Sequence, residues 1–378
     1  MLREHCAELI VCSHLRWDWV WQRPQHLISR LGSDVRTVYV EEPKAGGSGE
    51  TAVRCQDVAH HNVTRAWLHV PGPERWIGFG DPVADAYPEL VAGQLERTGR
   101  RVLWLYTAMA VPFIDALEPD LVVYDVMDDL TSFAMAPRGQ KMRHHAALRR
   151  ADVVFTGGRS LHQGVMTIRP NGVYCFPSGV ERAHFAGAAK LRPAGRRRPV
   201  AGYVGVIDER IDLELLAGLA RALPDWDINM VGPVAKIDPA SLPREPNLAW
   251  LGSRTYQELP DVLSGFDVAL MPFALNDATR SISPTKTLEY LAAGLPIVST
   301  KVPDVVADHS RRVDLEDDAE GFARACRHAV DPPLRPRRRR EIERFLERNS
   351  WDSIADAMAN TIGTHIDRSN TPALGSIG

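Results

Sequence analysis

Short, wholly apolar runs alternate with stretches of helical spacing along almost all of this chain, and few architectures accommodate that pattern. In the first half, strands are predicted at Glu8–Cys12, Thr37–Glu42, Val102–Tyr106, Leu121–Val126, Asp152–Gly158 and Val173–Pro177. Helical spacing runs through Gln25–Leu31 and Arg138–Arg150. A less regular region, Thr51–Gly80, holds a β-like piece at Ala66–Val70. Short strands with no polar face, separated by helices, belong to parallel sheets covered on both sides.

The alternation pauses at Lys190–Pro199, where KLRPAGRRRP is polar, basic and rich in Pro and Gly, the composition of a linker. It then restarts. Strands are predicted at Val200–Val206, Asp227–Gly232, Leu248–Gly252, Asp267–Phe273 and Pro296–Thr300. Helices are predicted at Leu213–Leu223, Tyr256–Ser264, Pro284–Ala293 and Ala319–Val330. The fold class is therefore α/β in two domains, 1–192 and 199–348. A length of 378 residues suits two domains of about 100–200 residues each. Trp351, Ile354, Ala355, Met358 and Ile362 share one face of a last helix, 351–366, so that face needs cover. The tail 367–378 has the small and polar content of a disordered end.

Forty-five Lys and Arg against 48 Asp and Glu leave a net charge of −3, which argues against nucleic acid as a partner. No apolar run approaches the roughly 20 residues of a membrane-spanning helix. The opening text MLREHCAELIVCS lacks the pattern of a secretory signal. The five cysteines are odd in number, widely spaced and without a C-x-x-C pair, so neither a disulfide framework nor a zinc site is expected. The expectation is a cytoplasmic protein with reduced thiols and no metal. The run Arg335–Arg340 suits a peripheral contact at a membrane surface. With Glu341, Glu343 and Glu347 following, an ordinary solvated helix is the preferred reading.

Sheets of this kind bind ligands at the carboxyl ends of their strands. Two such halves would face each other across a cleft, and the loops after strands carry the functional reading. In DVALMPFALNDATRSISPTKTLEYLAAGLPIVST a strand ends at Phe273 and a polar loop follows. Ser283 is placed to cap a helix with Pro284 at its first position, and Gly294 stops it. The amides of Ser283 to Thr285 and the charge of Lys286 suit a phosphate. Glu289, about one turn on, suits the two hydroxyls of a ribose. That order fits a nucleoside diphosphate; the alternative is a surface ion pair, Lys286–Glu289, on an ordinary helix.

In VAGYVGVIDERIDLELL, Gly205 permits close backbone approach. Arg210, with Asp208 beside it, can grip a diphosphate through two donors; a capping loop whose charges face water is the alternative. Gly232, ending the neighbouring strand, is counted with the same set. Arg254 and Tyr256, after the next strand, are placed near a base. Neither G-x-G-x-x-G nor G-x-x-x-x-G-K-[ST] occurs, which removes the main support for a dehydrogenase or a P-loop enzyme.

In the first domain, SHLRWDWVWQRPQHL follows the first strand. Trp17, Trp19 and Trp21 lie on one side if the segment is extended. Aromatic faces amid His14, Arg16, Gln22 and Arg23 suit a sugar ring. A hydrophobic plug under the first helix is the alternative, expected for at least one of the three. In VVYDVMDDLTSF, Asp125, Asp128 and Asp129 end a strand, where a carboxylate can take a proton, bind sugar hydroxyls or cap a helix. Their spacing is not a distinctive metal pattern.

Together these residues resemble the two-domain GT-B glycosyltransferases, close to the retaining family-4 type, over nearly the whole chain. SPTKTLEYLAAGLPIVST resembles the family's donor helix, with Glu289 as the second Glu of its E-x7-E motif. Ser281 stands where the first would be, and Asn276 or Asp277 is its candidate replacement. Arg210 and Lys286 resemble the family's diphosphate grip. HLRWDWVWQRPQHL, YDVMDDLTSF and TGGRSLHQ resemble a bacterial branch that acts on cell-envelope polysaccharides, teichuronic-acid-type transferases among them.

The resemblance implies two Rossmann-like domains and a last helix crossing back onto the first. It implies transfer of a sugar from a nucleoside-diphosphate sugar, a UDP-sugar favoured, to a hydroxyl of a glycan, lipid-linked or small-molecule acceptor, with no metal or further cofactor. Arg210, Lys286 and the amides at 283–285 would stabilise the leaving diphosphate. Asp128 or the departing phosphate oxygen would take the acceptor proton. Trp17 and Trp21, with Gln22 and Arg23, would form the acceptor platform, and His14 would orient the donor sugar. The rivals are a sugar-nucleotide epimerase or hydrolase, a non-catalytic sugar-nucleotide-binding subunit, and a metal-dependent transferase using Asp125 and Asp128.

Overall fold

A computed structural model describes residues 2–131, 139–191, 198–330 and 336–369. The chain divides into two compact units, Met1–Pro177 with Asp352–Gly378, and Ser178–Trp351. Most of the predicted linker, Arg335 and most of the predicted disordered tail lie outside the described residues.

The first unit is built on one sheet of strands β1 (Glu8–Ser13), β2 (Arg36–Glu41), β3 (Lys44–Ala45), β4 (Ala52–Asp57), β5 (Val63–Val70), β6 (Arg101–Leu105), β7 (Leu121–Val126), β8 (Val153–Thr156) and β9 (Val173–Cys175). Its order is β3-β5-β2-β1-β6-β7-β8-β9, with β4 on β5. Every pairing is parallel except β4 with β5. Strands β1, β6, β7 and β8 are buried at every residue, as uninterrupted apolar text requires. Strand β4 is mostly exposed, so its polar text AVRCQD gave no strand signal. The strand order reverses between β1 and β6, which places the loops after those two strands at the point where such sheets open for a ligand.

The predicted helical stretch near the carboxyl end is two helices, Pro336–Arg348 and Trp351–Ser369. From Asp352 onward the second belongs to the first unit. Its stripe of Trp351, Ile354, Ala355, Met358 and Ile362 is buried. Arg30 pairs with Asp352 at 2.6 Å, and the Tyr174 hydroxyl meets His365 Nε2 at 2.9 Å. Gly363 lies so close to His5 that a Cβ there would be 2.3 Å from its Nε2.

The second unit carries β10 (Val200–Val204), β11 (Asp227–Val231), β12 (Leu248–Trp250), β13 (Val268–Met271), β14 (Ile297–Ser299) and β15 (Asp314–Leu315). The sheet is parallel throughout, in the order β12-β11-β10-β13-β14-β15. That is the doubly wound nucleotide-binding order, with its reversal between β10 and β13. The boundary departs from the predicted one: the first unit ends at Pro177, before the Arg-rich stretch. The reason is apolar. Val180, Phe185 and Ala188 are buried in the second unit's core, and Val180 pairs with Ser350. Among the described residues no helix is long and apolar enough to cross a membrane.

Candidate active site

The reversal point of the second sheet brings the predicted cationic residues together. Gly205 follows β10 and Gly232 follows β11, and both glycines hold φ at 148°, a conformation side chains disfavour. A Cβ at Gly232 would lie 1.9 Å from the Gly205 carbonyl oxygen, so the two strand ends touch backbone to backbone. A Cβ at Gly205 would lie 2.1 Å from Lys286 Cε and 2.8 Å from the Tyr203 hydroxyl. The missing side chain is thus the space that the lysine occupies. Lys286 Nζ sits 5.6 Å from the centroid of the Tyr203 ring, within cation–π range.

The helix carrying Lys286 spans Lys286–Ala292, two residues later than the predicted start. Thr285 precedes it without a side-chain cap, and Ser283 and Thr285 are half-buried with no side-chain hydrogen bond among the described residues. Tyr290 fixes the helix against β10: its hydroxyl receives the Val204 N–H at 2.9 Å. Glu289 is half-buried. Burial pushes its carboxyl above the ordinary range, with Lys286 opposing. A carboxyl held toward its neutral form repels phosphate less and still offers oxygens to hydroxyls.

Arg210 is held by Asp208, itself only 2% exposed, through Nε at 2.9 Å and Nη2 at 2.7 Å. The loop beneath is tied to β13, with Ile211 bridging Phe273 and the Ala274 N–H donating to the Arg210 carbonyl at 2.9 Å. Asn276 donates to the Glu209 carbonyl at 2.9 Å and is locked to Thr279. Arg210, Asp208 and Glu289 all act electrostatically on the buried Tyr203 hydroxyl, which burial pushes upward. One ring therefore stands amid Lys286, Arg210, Asp208 and Glu289.

Other predicted donor residues are engaged with partners of their own. Asp277 forms an exposed ion pair with Arg280. Arg254 is exposed and folds back on the Leu251 and Ser253 carbonyls. Tyr256 stacks on His184 with centroids 4.2 Å apart and donates to Glu181 at 2.6 Å, so it packs the segment before β10. Just before Tyr256, the Thr255 N–H donates to Glu258 Oε2 at 2.7 Å and caps the following turn.

Two predicted acceptor residues are corrected by the first unit. Trp17 is 5% exposed, wedged edge-on against Trp21, Tyr39 and His61. It is the plug and offers no face to a sugar. Arg23 is 3% exposed and clamps Asp125 with Nε at 3.0 Å and Nη2 at 3.1 Å, while Nη1 donates to the Phe176 carbonyl at 2.8 Å. That buried pair joins the start of the first helix to the ends of β7 and β9, and it takes Asp125 out of any metal reading. Trp21 is half-buried with its indole N–H on His26, and Gln22 caps the helix with Gln25. His14 and Asp128 are half-buried in the loops after β1 and β7. Among the described residues no three His, Cys, Asp or Glu side chains are grouped to hold a metal ion.

Sequence reasoning missed Tyr203 and Tyr290, whose period in strand and helix marks them only as core. It also missed Glu42, 7% exposed just after β2. Burial pushes the Glu42 carboxyl up to about 7, against hydrogen bonds from the Phe79 backbone and the Trp76 indole and against the Arg16 charge. The folded state therefore keeps a proton that the unfolded chain loses near its ordinary value. Stability falls as pH rises between these two values, by roughly 3 kcal/mol in all. Glu42→Gln abolishes that fall. Urea midpoints of the two proteins converge at pH 4 and separate at pH 8 in the variant's favour; parallel pH profiles would disprove the assignment.

Residues 198–331 match the family model described as Glycosyl transferases group 1. A Bacillus subtilis (strain 168) protein named as the teichuronic acid biosynthesis glycosyltransferase TuaH is 31% identical over 227 residues, covering 54% of this chain and 57% of that protein. The chain thus spans a little over half of that relative's length. The sucrose-phosphate synthase of Thermosynechococcus elongatus superposes with a TM-score of 0.75 at 14% identity, over 96% of this chain and 99% of that one. A UDP-forming α,α-trehalose-phosphate synthase of Burkholderia xenovorans, in complex with glucose-6-phosphate, gives 0.70 at 13% identity, over 94% and 99%. At such identities the likeness is one of fold, and that fold is the GT-B arrangement of two α/β units with parallel sheets.

Proposed function

We propose, from the group 1 glycosyltransferase domain at residues 198–331, that this chain transfers a sugar from a nucleoside-diphosphate sugar to an acceptor hydroxyl. The observation that carries the reading is the seating of Lys286 in the space left open by Gly205, over the same Tyr203 on which the Asp208-held Arg210 acts, where the second sheet reverses. Breaking a sugar–diphosphate bond leaves negative charge on the phosphate. Lys286 and Arg210 stabilise that charge where it develops. Asp208 offsets part of the Arg210 charge, so Lys286 is the principal cation. Gly205 and Gly232 let backbone approach the diphosphate, and Glu289 accepts from the ribose hydroxyls. The Ser283 and Thr285 hydroxyls are available to phosphate oxygens.

With two side-chain cations at the leaving group, the reaction proceeds without a metal and, as in the family resembled, with retention. The acceptor proton passes to the departing phosphate oxygen or to Asp128, and His14 orients the donor sugar. A UDP-sugar is the favoured donor, and the UDP-forming fold relative supports it. The likeness to the teichuronic acid protein favours a cell-envelope glycan or its lipid-linked precursor as acceptor. A cytoplasmic setting, peripheral to the inner membrane, fits five free thiols.

The test is a thermal-shift series with UDP-, GDP- and dTDP-sugars, because a ligand bound only to the folded state raises apparent stability. One of the three is expected to raise Tm while the free sugar does not, with turnover requiring an added acceptor. No response to any nucleotide overturns the reading; turnover of donor alone converts it to a hydrolase.

A further inference from the structure

The first unit holds an aromatic side chain that is open yet fixed. Trp76 is 69% exposed. Exposed indoles are costly to leave in water, and a loose one would fold down. Trp76 is held in place instead. Its indole N–H donates to Glu42 Oε2 at 3.1 Å, and its backbone bridges Lys44. A Cβ at Gly78 would lie 2.9 Å from Trp76 Cη2 and 3.2 Å from Glu42 Oε1, so the glycine makes room for both. Glu42 in turn is buried and also receives the Phe79 backbone N–H.

The location is as telling as the geometry. Glu42 follows β2, so the site lies at the carboxyl edge of the parallel sheet. Arg16, from the loop after β1, reaches the Pro43 carbonyl at 3.0 Å. A Cβ at Gly80 would lie 2.2 Å from Met109 Cε, in the loop after β6. The segment bearing Trp76 therefore folds over the strand ends where ligands bind in such sheets.

We infer that Trp76 is the stacking platform of a pyranose subsite in the first unit and that Glu42 is the residue that positions it. A pyranose has an apolar C–H face and a rim of hydroxyls. An exposed indole fixed at its N–H edge by a carboxylate, with the Arg16 guanidinium on the nearby Pro43 carbonyl, sets an apolar face beside polar groups and matches both. Identifying that sugar as the acceptor rests on the transferase reading above; the stacking site itself does not.

Saturation-transfer NMR on the full chain with methyl glucoside, methyl galactoside and methyl glucuronide as probes tests this. At least one probe is expected to receive saturation at its ring C–H protons. Trp76→Ala reduces that transfer at least about fivefold, as loss of a base–aromatic or sugar–aromatic stack does. Met142→Ala, which removes an equally exposed apolar side chain, leaves it unchanged. Glu42→Ala lowers it, and Glu42→Gln, which keeps an acceptor oxygen for the indole, restores it. UDP still raises Tm in Trp76→Ala. Wild-type transfer to no probe, or full transfer in Trp76→Ala, overturns the inference. Loss of the UDP response in Trp76→Ala overturns it in favour of base stacking. A failed nucleotide screen with sugar transfer intact would instead leave this site standing and remove the transferase reading.

Discussion

Lys286→Ala lowers turnover by about 10²–10³-fold, the usual effect of removing one preorganised group from developing charge. The Tm gain given by UDP is lost in the variant, while any gain given by uridine alone persists, because only the diphosphate meets the lysine. The size of the effect follows from charge. Arg210 already faces the Asp208 carboxylate at 2.7 Å. Glu289, which burial drives toward its neutral form, depends on Lys286 for what ionisation it keeps. Removing the lysine therefore takes the main cation from the pocket and pushes the Glu289 carboxyl further up. The double variant Lys286→Ala, Glu289→Gln separates the two consequences. Unchanged turnover together with an unchanged UDP response would refute the clamp.

Asp125→Ala destabilises the first unit by roughly 3–5 kcal/mol, because it strands a buried guanidinium. Arg23 and Asp125 have side-chain exposures of 3% and 0%, so water cannot replace the lost partner. Burial pushes the Asp125 carboxyl up even with Arg23 opposing, a sign of how much desolvation the pair already carries. Replacing both, as Arg23→Met with Asp125→Leu, recovers most of the loss, since an apolar pair of similar volume needs no solvation. Urea unfolding followed by far-UV circular dichroism reads both effects. A single-variant loss below about 1 kcal/mol, the size of an exposed pair, would show that the pair is solvated.

The central strands were legible because burial on both faces leaves an uninterrupted apolar text. Leu121–Val126 matches its predicted bounds, and β1, β2 and β6 lie within one residue of theirs. Strand β4 was not legible, since an edge strand with polar side chains reads as loop. The segment 178–191 was assigned by composition to the wrong side of the boundary, because the Arg-rich stretch signals solvation and not which core Phe185 enters. At the candidate site, Lys286, Arg210 and Gly205 were legible as charge and glycine following strands, and the fold gathers them around Tyr203. Trp17 and Arg23 misled for the opposite reason. An aromatic or a guanidinium after a strand serves a core as readily as a ligand, and only their depth decides. Trp76 lay in text without periodicity, where nothing marks an exposed side chain as fixed.

The helix from Asp352 completes a unit whose other residues end at Pro177. During synthesis, then, the residues up to Pro177 cannot complete their unit until residues 178–351 have been made and the helix from Asp352 has followed. Its seat for that helix, around His5, Arg30 and Tyr174, stays uncovered while the second unit is made. Nascent intermediates carry sticky surface for that interval. A truncation just before Asp352 would make the interval permanent, harming residues more than three hundred positions earlier, such as His5 and Arg30.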